Sequence, residues 1–385
     1  MRNSMLSYQL LRSGRWTSLA LCCLYCRCVQ SYVSPYKSPP TGYLVVEGFI
    51  SGNTPTQYRL SRSIELPGDS AIPPVTGAKL QVEGSDNSVY PLPELVQGNY
   101  GGDTLNLSTS VQYRLRIGTP DGQTYLSDFV PLKSSPPIDS VNWVYHDRDS
   151  SVDIYVNTHD PANSTRYYRW VFDQTWEYHS TQQSALLYIA ASDTVVQRAP
   201  DQQVFRCWQD IPSTSIYLSS TAKLANDVVY AFPLVHIPYG AQQLAILYSI
   251  QVTQYALTED AYNFYTQLLE NTESLGSIFD LLPTQLTGNI RNLTNPDEPV
   301  IGYISAGTLQ QQRIFIYHDQ LPYWVYNFEC GPDIAVKPDS IQYYFGAWGF
   351  TPVGFSTGVY LAGQTYCVDC TSQGGSNQKP AYWPN

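Results

Sequence analysis

The sequence predicts a mainly β protein, and three observations carry that prediction. Charged residues make up 14% of the 385 positions and aromatics another 14%, including 32 Tyr. An average soluble chain is about 25% charged, so this composition argues against disorder and against coiled coils. Second, 25 Gly and 27 Pro provide turn formers for many short elements. Third, apolar and polar residues alternate. In Val111-Gln-Tyr-Arg-Leu-Arg-Ile117, positions 111, 113, 115 and 117 are apolar and those between are polar, the pattern of a strand with one wet face. At roughly 150 residues per domain, the length suggests two or three domains. The formal net charge of −11 argues against a nucleic-acid partner, which needs clustered Lys and Arg to displace counterions.

Residues 1–27 read as an export signal. Arg2, Arg12 and Arg15 precede the apolar run Trp16-Thr-Ser-Leu-Ala-Leu-Cys-Cys-Leu-Tyr-Cys26, which is far short of the roughly 20 residues that span a bilayer. Four cysteines, Cys22, Cys23, Cys26 and Cys28, sit at its end, where bacterial lipoproteins are cleaved and acylated. Cys28 is the expected lipidation site and the other three are alternatives, because Arg27 stands where a small residue is expected. Residues 28–42 are Ser- and Pro-rich and read as a tether. Removing residues 1–27 takes away four arginines and no acid, which moves the net charge from −11 to −15. A lipid, not charge, would then hold the body at the membrane, and stable anchoring takes two or more acyl chains.

Residues 43–132 are expected to form an immunoglobulin-like β-sandwich. Its candidate strands are Tyr43–Ile50, Gln57–Ile64, Ala78–Glu83, Val111–Ile117 and Tyr125–Val130, separated by turns such as Pro67-Gly-Asp and Pro120-Asp-Gly. The Pro/Ser stretch at 133–140 reads as a linker. Residues 141–385 are expected to form a larger β-sandwich-like domain with one amphipathic helix and a disulfide-pinned C-terminal tail. Its candidate strands are Ser151–Val156, Tyr167–Phe172, Ala185–Ala190, Ser215–Ser219, Val228–Val235, Leu244–Thr253, Val300–Ser305 and Arg313–His318. The helix is expected over Thr258–Asn271, where Ala261, Phe264, Tyr265, Leu268 and Leu269 fall on one stripe. Thr258 can cap it, and Glu259 and Asp260 suit its first turn.

No catalytic, metal-binding or cofactor constellation is expected. The five histidines (146, 159, 179, 236, 318) are scattered. Gly354-Phe-Ser-Thr-Gly358 matches a nucleophile elbow by letters, but no helix pattern and no histidine follow it; a glycine-flanked turn is the expected reading of Ser356. His146-Asp-Arg-Asp-Ser-Ser-Val-Asp153 lacks the glycine and glutamate of a calcium loop and reads as a hairpin turn. Cys207, Cys330, Cys367 and Cys370 form an even set in an exported chain, which suggests two disulfides of undetermined pairing. A four-thiolate zinc site and a Cys367-Val-Asp-Cys370 redox pair are the alternatives. The C-terminal aromatics serve a core and a surface equally well; Tyr323, Trp324, Tyr343 and Trp348 are the candidate binding surface.

Segments spread along the chain carry a resemblance: Cys28 followed by Tyr32-Val-Ser-Pro-Tyr36, Tyr43-Leu-Val-Val-Glu-Gly48, Tyr58-Arg-Leu-Ser-Arg62, Gly276-Ser-Ile-Phe-Asp280, Gly288-Asn-Ile-Arg-Asn292, Pro299-Val-Ile-Gly-Tyr303, Cys367-Val-Asp-Cys370, Gly374-Gly375 and Lys379-Pro-Ala-Tyr-Trp383. In this order they resemble an uncharacterised domain-of-unknown-function family of Bacteroidetes outer-membrane lipoproteins, commonly encoded beside TonB-dependent receptors. The resemblance implies a lipid-anchored, non-enzymatic outer-membrane protein that captures a nutrient for such a transporter or covers its mouth. A stand-alone surface adhesin or glycan-binding module is the alternative expectation.

Overall fold

The computed structural model describes residues 42–64, 71–273, 286 and 288–384. The expected signal, all four candidate acylation cysteines and residues 28–41 of the tether lie outside the described residues. The mainly β class holds. Nine strands come first: β1 (Leu44–Ser51), β2 (Pro55–Arg62), β3 (Lys79–Gly84), β4 (Val89–Leu92), β5 (Glu94–Val96), β6 (Asn99–Thr104), β7 (Gln112–Gly118), β8 (Thr124–Ser127) and β9 (Val130–Lys133). The alternation at 111–117 becomes β7, with Tyr113, Leu115 and Ile117 at most 1% exposed. β1 pairs β2 and β2 pairs β6, while β3 lies between β4 and β7. Together the nine strands belong to one sheet that bends around a single core and nearly closes, with Pro93 linking β4 to β5.

The second domain is a two-sheet sandwich. Its strands are β10 (Ile138–His146), β11 (Ser151–His159), β12 (Tyr167–His179), the hairpin β13 (Leu186–Ile189) and β14 (Thr194–Gln197), then β15 (Arg206–Pro212), β16 (Tyr217–Ser220), β17 (Val228–Ile237) and β18 (Leu247–Ala256). β10-β11-β17 form one layer. β12 is the spine of the other, paired with β18 on one side and with β15 and β16 on its other side. Between the layers Val152, Ile154, Trp170 and Ile250 are fully buried. The crossing from the first domain is pinned: buried Gln254 donates from Nε2 to the Pro136 carbonyl (2.8 Å) and accepts at Oε1 from Trp170 Nε1 (3.0 Å).

The helix spans Glu259–Glu273, and Thr258 Oγ1 accepts from the Ala261 N–H as a cap. It packs on β12 and β16, with Tyr262 against Tyr167 and Tyr265 against Arg169, and it buries Ala261 and Phe264. The chain then returns to the first sheet, a departure from the division expected at 133–140. β19 (Ile290–Asn292) pairs β8, and β20 (Ala306–Gly307) enters in parallel between β1 and β9. Ile290, Val300, Ile304 and Ala306 complete the first core. Val300–Ser305, expected as a strand, runs beside β1 with only a bridge at Ile301. Glycine explains the close approach: a Cβ on Gly302 would lie 2.3 Å from the Val46 carbonyl oxygen, and one on Gly307 2.4 Å from that of Lys133.

β21 (Leu309–Tyr317) then pairs β18. The last strands, β22 (Ile334–Val336), β23 (Phe350–Ser356) and β24 (Val359–Gln364), form a small sheet in the order β22-β24-β23. A short helix, Ile341–Gly346, covers its core of Val336, Ile341 and Ala362. Disulfides join Cys207 to Cys370 and Cys330 to Cys367. The two cysteines of Cys367-Val-Asp-Cys370 therefore bond to different partners, and neither forms the redox pair nor enters a zinc site. Ser356 sits at a β-hairpin turn whose next residues, Thr357 and Gly358, have φ of 52° and 82°.

Candidate functional site

A cleft of about 520 Å³ opens where β1 of the first sheet, the returning segment, the long helix and the outer face of the second sandwich meet. β1 supplies Glu47 and Phe49, β12 Arg169, β18 Tyr255, the helix Phe264, Tyr265 and Leu268, and the returning segment Ile301 and Tyr303. Period-two geometry places Arg169 on the outer face of β12, because Tyr168 and Trp170 point into the core. In the ladder Arg169 stands directly opposite Tyr255.

The guanidinium carbon of Arg169 lies 4.4 Å from the Tyr265 ring centre and 5.3 Å from that of Tyr255. Both are within cation–π range. Its Nη1 donates to the Tyr265 hydroxyl at 3.3 Å. Its Nε is buried and has no hydrogen-bond partner. Among the described residues Arg169 makes no ion pair, and it is the only cation among the residues lining the cleft.

Aromatic contacts extend the cage. Phe49 meets Tyr255 edge to face at 5.0 Å, and Phe264 contacts Tyr265 at 5.4 Å and Tyr303 at 5.2 Å. Burial raises the Tyr255 phenol above its ordinary range, with Arg169 opposing that shift. Burial raises Tyr303 in the same way, against a hydrogen bond with Thr258. Both hydroxyls stay neutral near pH 7, so the cage offers one cation, neutral donors and apolar walls.

The sequence-based candidates fare differently. Tyr323 is 60% exposed and stacks on Tyr239 at 5.7 Å. Tyr343 and Trp348 are 59% and 56% exposed and touch edge to face at 4.7 Å, with Tyr344 also against Trp348 at 5.2 Å. Trp324 must be corrected: it is 4% exposed, packs in the second core, and donates from Nε1 to the Ala241 carbonyl at 3.1 Å. Its neighbour Tyr323 points outward, in a stretch of chain that belongs to no strand. The His146–Asp153 segment is a hairpin turn in which Asp149 accepts from Ser151. No group of three or more His, Cys, Asp or Glu suited to a metal occurs among the described residues.

Arg169 and its cage escaped the sequence reading. The only signal was an arginine inside the aromatic strand Tyr167-Tyr-Arg-Trp-Val-Phe172.

A curled first sheet, a sandwich on a discontinuous chain and an aromatic cleft where they meet describe a β-rich protein with a small-molecule-sized recess. The chain belongs to the family described as Domain of unknown function (DUF4249), whose model matches residues 30–313. No curated protein matches the sequence.

Proposed function

We propose that this protein is a lipid-anchored, non-enzymatic outer-membrane protein that captures a ligand for, or covers the mouth of, a TonB-dependent transporter. The single observation that carries the capture reading is the caged Arg169, a cation held at the wall of a cleft with a buried donor left unpaired. A group prepared in this way is suited to binding, and the motifs of the sequence offer nothing that would transform a ligand. The anchor rests on the cysteines at 22–28, and the transporter on the resemblance in sequence.

The test is affinity capture of the tagged full chain from detergent-solubilised outer membrane. A large β-barrel should co-purify; recovery of the lipoprotein alone overturns the transporter partnership. One observation favours the second reading, a surface adhesin or glycan-binding module: the exposed Trp348, braced edge to face by Tyr343, offers an indole face on which a sugar ring can stack. Glycan-array binding that disappears in Trp348→Ala, with no barrel co-purifying, would establish it instead.

A further inference from the structure

We infer that the cleft takes an organic monoanion, a single carboxylate on a largely apolar body, with Arg169 as the group that receives the carboxylate. The inference rests on the reading of this cleft as a ligand site and adds the chemical class of the ligand.

Four observations converge on that class. The first is the unsatisfied donor. A buried, unpaired N–H costs about 1–3 kcal/mol, and the Nε of Arg169 has no partner while Nη1 reaches only a neutral hydroxyl. A carboxylate presents two oxygens to the planar fork of an arginine and would supply the missing acceptor.

The second is charge. Among the described residues Arg169 is the only cation of the lining, and Glu47 lies on the same cleft. Arg169 makes no ion pair, so one carboxylate can neutralise it, whereas a dianionic phosphate would find no second cation in the described lining and would also face Glu47.

The third is the wall. Phe49, Phe264, Leu268, Ile301 and Tyr303 are apolar or aromatic surfaces that a fully polar anion would leave unused. The fourth is size. About 520 Å³ falls within the range of clefts that enclose a molecule of several tens of atoms.

A purely structural role for Arg169 is the competing account: the cation would merely fasten the helix to the sheet through Tyr265. The two accounts separate on the unmodified protein. Calorimetric titration of the full chain in detergent would use dansylglycine as the acid and dansylglycinamide as its neutral counterpart. Dansylglycine should bind at least about ten-fold more tightly than the amide, a preference equivalent to about 1.4 kcal/mol. Excess inorganic phosphate should leave that binding unchanged. In Arg169→Lys the preference for the acid should shrink, since an ammonium keeps the charge but loses the fork; in Arg169→Ala it should vanish. Equal affinity for acid and amide, absence of binding by both, or displacement by phosphate at equal concentration overturns the inference.

These outcomes are independent of the transporter. If a barrel co-purifies while acid and amide bind alike, the carboxylate site falls and the partnership stands. If the acid is preferred but no barrel is recovered, the reverse holds.

Discussion

The first sheet gathers twenty buried apolar residues into one cluster, and no disulfide touches it among the described residues. The C-terminal sheet β22–β24 buries three, Val336, Ile341 and Ala362, and the chain on either side of it is held by two disulfides. Burial of apolar area scales with the size of a core, and a small core rarely supports itself. The first region is thus fixed by what its folded state buries, the second by what its unfolded state is forbidden to explore.

The sharpest way to break the comparison is to remove the longer staple. Cys207 and Cys370 are both fully buried in the second core and close a separation of 163 residues. The chain-entropy account assigns such a bridge about 5 kcal/mol. Paired Cys207→Ser and Cys370→Ser changes should lower the unfolding free energy by an amount approaching that figure in denaturant titrations. Hydrogen exchange should show β22–β24 losing protection first. Equal loss in β1, β2 and β7 would mean that the two regions share one unfolding unit and that the contrast is false.

Acid offers a second, smaller probe. Glu177 is 4% exposed on β12 and receives Arg206 twice, Nε to Oε1 at 2.5 Å and Nη2 to Oε2 at 2.9 Å. Trp383 donates to it from Nε1 at 3.0 Å, which fastens the C-terminal end of the chain to the second sandwich. Burial would raise this carboxyl, but the hydrogen bonds from His179, Arg206 and Trp383 outweigh burial and hold it at about 2. A depressed folded value stabilises the protein above the unfolded value near 4.5. That stability is lost as pH falls toward about 2 and is worth about 3 kcal/mol. Glu177→Gln should flatten the stability profile between pH 4.5 and 2 and release residues 376–384 to proteolysis. An unchanged acid slope in the variant would show that other carboxylates, such as Asp160 (also lowered to about 2), dominate.

Elements set by local pattern were legible in the sequence. Val152, Ile154 and Val156 alternate and are all buried in β11, and the Ala261–Leu269 stripe became the helix with Thr258 at its cap. Alternation and capping act over a few residues, so a short window contains them. What was illegible depends on contacts between distant residues. Arg169 reads locally as one more wet position on a strand, and its meaning comes from Tyr265, 96 residues away. Trp324 and Tyr323 are adjacent and identical in kind to a composition argument, yet one is buried and the other exposed. The even count of four cysteines suggested two bridges, but their spacing could not say that Cys367 and Cys370 turn to different partners. The return of residues 288–307 was hidden for the same reason: its strands are two and three residues long and carry no period of their own.

That return segment provides the last and smallest test, one that acts on the first region alone. Asn289 is buried beneath β19, donates from Nδ2 to the Ile304 carbonyl at 3.0 Å and accepts at Oδ1 from the Ile304 N–H at 2.8 Å. The same side chain therefore satisfies both backbone groups of a residue that reaches the core without a strand ladder. Asn289→Ala leaves that N–H and C=O unpaired in a buried setting, for a loss of about 2 kcal/mol. The urea midpoint should fall with an unchanged slope, and the amides of Val46 and Ile50, which donate to Ile301 and Ser305, should exchange faster. β22–β24 should keep its protection, because the Cys330–Cys367 bridge that flanks it closes a loop that does not contain this segment. If those strands loosen as well, the returning chain couples the two regions, and the disulfides act on the whole body instead of the small sheet alone.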